Sequence, residues 1–308
     1  MMPAPVQPSL LASFFGALQV GAPIEAGDLV VVPLLGRGDA LEVDLLEDAL
    51  RSGRTTVTEV SEGGVVGLVR VKHGGERLLL LVDGEVVSGA KQTRTFNASF
   101  LVPPGATVDV PVSCVEQGRW RYDKHDFGSA ETTLTSSMRA SKVRRVAASI
   151  ARDRGYDADQ GAVWRDVETY IGSVHAPAPT RSFEDAHRTQ TGRVAAHIDS
   201  LEPLPDQVGH AVVRGGKLVS IDAFGSARTY ARAWRKLARG LLAETEEASH
   251  PDGSARAIVH AALAWVGAVP LVQKDAPGAG ESLHGVAGQL AVGAITHGGQ
   301  VVHATLVG

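Results

Sequence analysis

Thr107-Val108-Asp109-Val110-Pro111-Val112-Ser113-Cys114 sets valine at every second position, the period of a strand with one apolar face. The even positions therefore point inward. Cys114 shares that parity, so its thiol belongs to the core. Glu116 shares it too if the strand runs on, which puts a carboxylate at the rim of an apolar face, where an acid is costly unless paired.

Upstream, Leu29–Leu35, Thr55–Val60, Val65–Val71, Leu78–Val82 and Arg94–Val102 read as further strands, and Val43–Leu50 as a short helix stopped at Gly53. Gly63-Gly64, Gly74-Gly75, Asp83-Gly84 and Pro103-Pro104-Gly105 punctuate them. Strands so short and evenly spaced predict an antiparallel, sandwich-like sheet.

Downstream the period changes. Val143, Val146, Ala147 and Ile150 form a helical stripe whose other face carries Lys142, Arg145 and Arg152. Val163, Val167, Tyr170 and Ile171 form a second. Ser182 followed by Asp185 resembles a capping box opening a helix through Ile198 and Leu201. A hairpin is expected at His210–Ser220 around Gly215-Gly216. Ser226 then caps a helix with Tyr230, Trp234, Leu237 and Leu241 inward, and another helix runs to about Val266. Val269–Gln273, Gln289–Thr296 and Val301–Val307 return to β signals. The expectation is one α+β domain over residues 1–308: a β-rich layer over about 9–129, a helical middle over about 130–266, and a small C-terminal β segment over 267–308.

Composition bounds the function. A formal charge of −4 argues against general nucleic-acid binding. One cysteine among 308 residues excludes an intramolecular disulfide and a thiolate-rich zinc site. The apolar stretch Leu10–Val20 is short, broken by Ser13, Gly16 and Gln19, and preceded by no basic segment, so neither a signal peptide nor a membrane span is expected and the address is cytoplasmic. Asp123, His125 and Asp126 are too loosely spaced to indicate a metal. Gly36-Arg37-Gly38 and Gly278-Ala279-Gly280 lack the remainder of a phosphate-loop fingerprint. No metal or cofactor is indicated.

Chemistry-bearing side chains are densest in two blocks, Gly89-Ala90-Lys91-Gln92-Thr93-Arg94 and Cys114-Val115-Glu116-Gln117-Gly118-Arg119-Trp120, each at a strand end. In one reading they form an anion or nucleotide pocket. Arg94 and Arg119 grip phosphate or carboxylate, Lys91 is a point charge, Gln92 and Gln117 contribute hydrogen bonds, Trp120 stacks, and Glu116 is a general acid or base. In the other, the same groups are an ion-pair network that pins the loops leaving the sheet.

The run Asp83–Arg94 and the run Val110–Trp120, with Arg139, Lys142 and Gln160-Gly161-Ala162-Val163-Trp164, resemble the family named for its association with ADP-ribosylglycohydrolase and rhodanese-phosphatase proteins. The resemblance spans roughly residues 9–243, and the segment beyond about 245 is similar to it least. It implies a role in handling ADP-ribose or other NAD-derived compounds, as an enzyme or a ligand-binding partner. It carries over no catalytic residue, so the site residues rest on their chemistry. Apart from a small anionic or nucleotide-like ligand, no partner is indicated.

Overall fold

Strand Thr107–Cys114 pairs with Leu68–His73 on one edge and with Arg94–Phe96 on the other. Pairing continues through Thr55–Glu59, Phe127–Thr133 and Glu85–Gly89 back to Arg94–Phe96, so six antiparallel strands close into a barrel. The structure, a computed structural model, describes residues 9–36, 41–244 and 254–308. Arg37 and Gly38 of the Gly36-Arg37-Gly38 turn lie outside these. The expected antiparallel half is present. It closes on itself rather than splitting into two facing sheets, with Phe127 opposite Val57 as the closing pair between Thr55–Glu59 and Phe127–Thr133. Val57, Val69, Val71, Phe96 and Val110 are fully buried, and Cys114 is buried as its parity predicts.

Two strands depart from expectation. The run Arg94–Val102 is broken at Asn97-Ala98-Ser99. Arg94–Phe96 stays in the barrel, whereas Phe100–Val102 joins Leu79–Leu81 and Asp44–Leu45 in a separate three-stranded sheet. The run Leu29–Leu35 leaves the β-rich layer and pairs with Gln207–Arg214. From there a nine-stranded antiparallel sheet extends through Lys217–Phe224, Gln300–Val307, Leu290–His297, Glu281–Ala287 and Val272–Asp275, with Gln19–Val20 and Ile24–Ala26 on Leu29–Leu35. The C-terminal β segment thus supplies four of the nine strands of the largest sheet. Leu29–Leu35 is continuously apolar because both of its faces are covered. Val30, Val32 and Leu34 pack with Leu11, Phe15, Val259 and Leu263, while Leu29 and Val31 face the cluster that includes the barrel.

Helices Ser136–Ile150 and Ala227–Leu242 lie on the barrel side of that sheet. The second is amphipathic as expected. Tyr230, Trp234, Leu237 and Leu241 are buried, and Arg228, Arg232, Lys236 and Arg239 pair with Glu42, Asp48, Glu85 and Glu131. The helix expected from Ser182 is two, Phe183–Arg188 and Thr191–Ile198, the first capped by Ser182 Oγ accepting from the Asp185 amide at 3.4 Å.

Lys142, expected on a solvated face, is instead fully buried. Its ammonium donates to Asp83, to Phe96 O at 2.9 Å and to Asn97 O at 3.0 Å. One turn earlier, Arg139 grips both oxygens of Asp222 at 2.8 and 2.6 Å and reaches Asp83 at 3.4 Å. Burial opposes the charge on Asp222, yet Arg139 and the His303 hydrogen bond hold its carboxyl well below the ordinary range. Two cations and two carboxylates therefore bolt the large sheet, this helix and the barrel turn at Asp83 into one core. Removing one member strands the others in a dry site, at a cost of about 3–5 kcal/mol. Arg139→Ala is accordingly expected to lower the urea-unfolding free energy by about that amount. A loss within the ~0.5 kcal/mol of an ordinary surface substitution would contradict this role.

Candidate functional site

Antiparallel closure fixes which strand ends meet. Thr55–Glu59, Glu85–Gly89 and Thr107–Cys114 finish, and Leu68–His73, Arg94–Phe96 and Phe127–Thr133 begin, at the same mouth of the barrel. Both motif blocks leave the sheet there. Lys91, Arg94, Glu116, Arg119 and Trp120, up to 29 positions apart in the chain, converge on one rim.

Within the rim the side chains differ sharply. Glu116 is buried and saturated. It accepts from the Thr93 amide at 3.0 Å and Thr93 Oγ1 at 3.1 Å, from Arg119 Nε at 2.9 Å and Nη2 at 2.7 Å, and from Thr180 Oγ1 at 2.9 Å. Burial alone would raise its pKa, but the Arg119, Thr93 and Thr180 hydrogen bonds outweigh it and hold the carboxyl below its ordinary value. Arg119 spends its remaining donors on Ala90 O at 2.7 Å, Arg121 O at 3.1 Å and Gly89 O at 3.3 Å. This pair ties the two motif loops together. Neither member has a hydrogen-bonding valence turned toward solvent.

Arg94 is the opposite case. It is fully buried. Nη1 donates to Val66 O at 2.7 Å and to Cys114 Sγ, while Nη2 stands 3.5 Å from Glu59 Oε1. Arg94 Nε, Arg94 Nη2 and Glu59 Oε2 have no hydrogen-bond partner among the described residues. Three orphaned polar atoms in one place are rare, since each costs about 1–3 kcal/mol. Directly above, the Trp120 ring lies 5.4 Å from the Arg94 guanidinium carbon, and Lys91 Nζ sits 5.6 Å from the Trp120 ring and 5.0 Å from that of Tyr122. Trp120 and Tyr122 are 46% and 45% exposed, an unusual display for two large aromatic rings. Lys91 is half-buried, Gln92 buried, and Gln117 exposed with its Oε1 taken by Arg181 at 3.0 Å.

Glu59 and Tyr122 are site residues that the two motif blocks do not contain. Thr55, Val57 and Glu59 share one parity on their strand, all buried, so Glu59 carried the same inward-carboxylate signal as Glu116. Tyr122 lies two residues after Trp120, and Lys91 Nζ reaches both rings.

A second charged groove is already paired. A groove of about 380 Å³ beside Thr191–Ile198 is lined by Arg188, Arg235 and Arg239, which bind Glu184, Glu202 and Glu131. Among the described residues no cluster of three or more His, Cys, Asp or Glu could hold a metal ion. His125 Nδ1 and Asp126 Oδ1 form an exposed 2.7 Å pair. No helix among the described residues is long and apolar enough to cross a membrane.

The family model of the ARG and Rhodanese-Phosphatase-superfamily-associated Protein domain matches residues 17–307, and the chain belongs to that family. The match takes in the segment beyond 245, which completes the large sheet. No curated protein and no solved structure matches the chain.

Two outcomes follow from this geometry. Because the folded pKa of Glu116 is depressed, its contribution to stability is present above the unfolded carboxylate pKa and is lost as pH falls through the folded value. The stability gap between the wild type and Glu116→Gln should therefore be open at neutral pH and shrink below about pH 4, as read by urea unfolding across pH. A gap that does not depend on pH would contradict the ion pair. Burial pushes the Cys114 thiol up to about 11 in spite of the adjacent Arg94. A chromogenic disulfide reagent at pH 8 should label Cys114 only after unfolding, and rapid labelling of the native chain would show that the barrel mouth admits solvent to it.

Proposed function

We propose that this barrel mouth binds a small nucleotide-like anion of the ADP-ribose class, and that the protein acts there as a binder. The observation that carries the reading is the orphaned set of Arg94 Nε, Arg94 Nη2 and Glu59 Oε2 beneath an exposed Trp120–Tyr122–Lys91 cap. The pieces match the ligand's chemistry. The aromatic faces offer a stacking surface for a base, and the Lys91 ammonium offers a mobile charge for phosphate. The Arg94 donors suit phosphate or ribose oxygens, and the Glu59 acceptor suits a ribose hydroxyl. Engagement of that lower layer requires the Trp120 ring to swing outward.

The competing reading, a structural ion-pair network, holds for part of the rim. The complete hydrogen bonding of Glu116 and Arg119 favours a scaffold role for that pair, which keeps the loops at the geometry the cap needs. In this proposal Glu116 is a positioning residue rather than an acid or base. Gln92 and Gln117 flank the site. A free, buried cysteine suits a reducing cytoplasm, and the net charge of −4 suits a small ligand better than a nucleic acid.

Binding should raise the melting temperature by mass action. ADP-ribose at millimolar concentration is expected to give a shift in the wild type, and Lys91→Ala and Trp120→Ala, both at the surface, are expected to abolish it while leaving the unliganded melting temperature nearly unchanged. No shift with ADP-ribose, NAD or ribose 5-phosphate would remove this ligand class. A shift that survives both substitutions would move the site elsewhere.

A further inference from the structure

A second polar constellation lies beyond the opposite mouth of the barrel, where the broken run Asn97-Ala98-Ser99 meets the large sheet. Ser99 Oγ is 2.8 Å from His303 Nδ1, and His303 Nε2 is 3.2 Å from Asp222 Oδ1. Asp222 is an anion held by Arg139 and also accepts from Thr305 Oγ1 at 3.2 Å. A carboxylate can only accept, so His303 carries its proton on Nε2. The lone pair of Nδ1 then faces the Ser99 hydroxyl. The order hydroxyl, imidazole lone pair, imidazole N–H, carboxylate is the arrangement of an activated serine, with the two ring nitrogens in exchanged roles relative to the common protease triad.

Ser99 also faces a cavity. A void of about 20 Å³ is lined by Ser99, Asp83, Asn97, His284 and Thr305. His284 is buried, and both of its ring nitrogens lack a hydrogen-bond partner among the described residues. A buried neutral imidazole without a protein partner is costly unless a polar group enters the void beside it. Burial drives His284 down to about 4, so it stays neutral and offers one N–H to the void.

We propose that Ser99 is a nucleophile for acyl transfer, acting on short-chain acyl esters whose acyl group enters this cavity. Ser99 Oγ bonds to the carbonyl carbon as its proton passes to His303 Nδ1. The carbonyl oxygen becomes an oxyanion, met by the His284 N–H. The intermediate collapses with cleavage of the ester C–O bond, and the leaving alkoxide takes the proton from His303. Water then attacks the acyl-serine by the same route, returning Ser99 and releasing the acid. Asp222 is a positioning residue that fixes the His303 tautomer. The void is too small for more than a few heavy atoms, which limits the acyl group to formyl or acetyl size. This activity is independent of ligand binding at the other mouth.

The full-length chain is tested with p-nitrophenyl acetate, reading nitrophenolate release, and with methanesulfonyl fluoride, reading the modified peptide by mass spectrometry. The expected result is turnover above the buffer rate and a single adduct on Ser99. Ser99→Ala, a near-isosteric change whose fold is checked by its melting temperature, should reduce turnover on the order of 100-fold and remove the adduct. His303→Gln should do the same. Release no faster than in Ser99→Ala, or an adduct on any other residue, overturns the proposal.

Discussion

Closure of the six-stranded antiparallel barrel is the constraint on which the rest depends. Once Thr107–Cys114 finds partners on both edges, strand direction alone decides which termini meet. Glu59, Arg94 and Cys114, all at strand ends, must then share one mouth, and the loops that carry Lys91, Glu116 and Trp120 must leave from it. No loop of unusual length is needed to gather the rim. The pairing register does it, and the turn into the Lys91 loop takes Gly89 and Ala90 through positive φ, 118° and 37°. The Glu116–Arg119 pair then joins the two loops to each other, so that the cap above Arg94 rests on a fixed base.

The same closure sends Asp83 and the Asn97–Ser99 break to the far end, where the large sheet presents Asp222 and His303. The two ends of the barrel solve the burial of charge differently. At the far end Lys142 uses its ammonium on Asp83, Phe96 O and Asn97 O, and Arg139 grips Asp222 and Asp83 with Nη1 and Nη2, its Nε alone left over, which suits a joint between layers. At the near mouth Arg94 and Glu59 face each other at 3.5 Å with valences left over. A protein interior does not ordinarily leave such atoms unpaired. That contrast sets the open valences of the near mouth apart from the more fully paired charges of the far end.

Much of this was legible in the sequence, and the failures have physical causes. Valine parity at 108–112 correctly placed Cys114 inward, because a single strand's period is a local property. The strand stops there, and Glu116 is buried by its bonds to Thr93, Arg119 and Thr180 instead. The α+β class, the Gly215-Gly216 hairpin and the Ser226 cap were legible for the same reason. The destination of Leu29–Leu35 was not, since a run apolar on both faces names no partner, and its partner lies far along the chain. Lys142 read as a surface residue because helical periodicity counts a lysine as polar whatever waits opposite it, and the waiting group, Asp83, belongs to another layer. The site residues were visible as a cluster. Which of them are saturated and which are open was not, because that depends on Thr93, Thr180 and backbone carbonyls that no motif announces.

The central claim is that the orphaned donors of Arg94 are there for a ligand. The most direct measurement is a nitrogen-15 NMR titration of the arginine Nε–H signals with ADP-ribose, with Arg94 assigned by its loss in Arg94→Lys. The account predicts a saturable displacement of the Arg94 Nε–H resonance and slower exchange of its proton with water, while Arg119 Nε–H, already bonded to Glu116, stays where it was. An Arg94 signal unmoved at saturating ligand, or one that moves no more than Arg119, would contradict it.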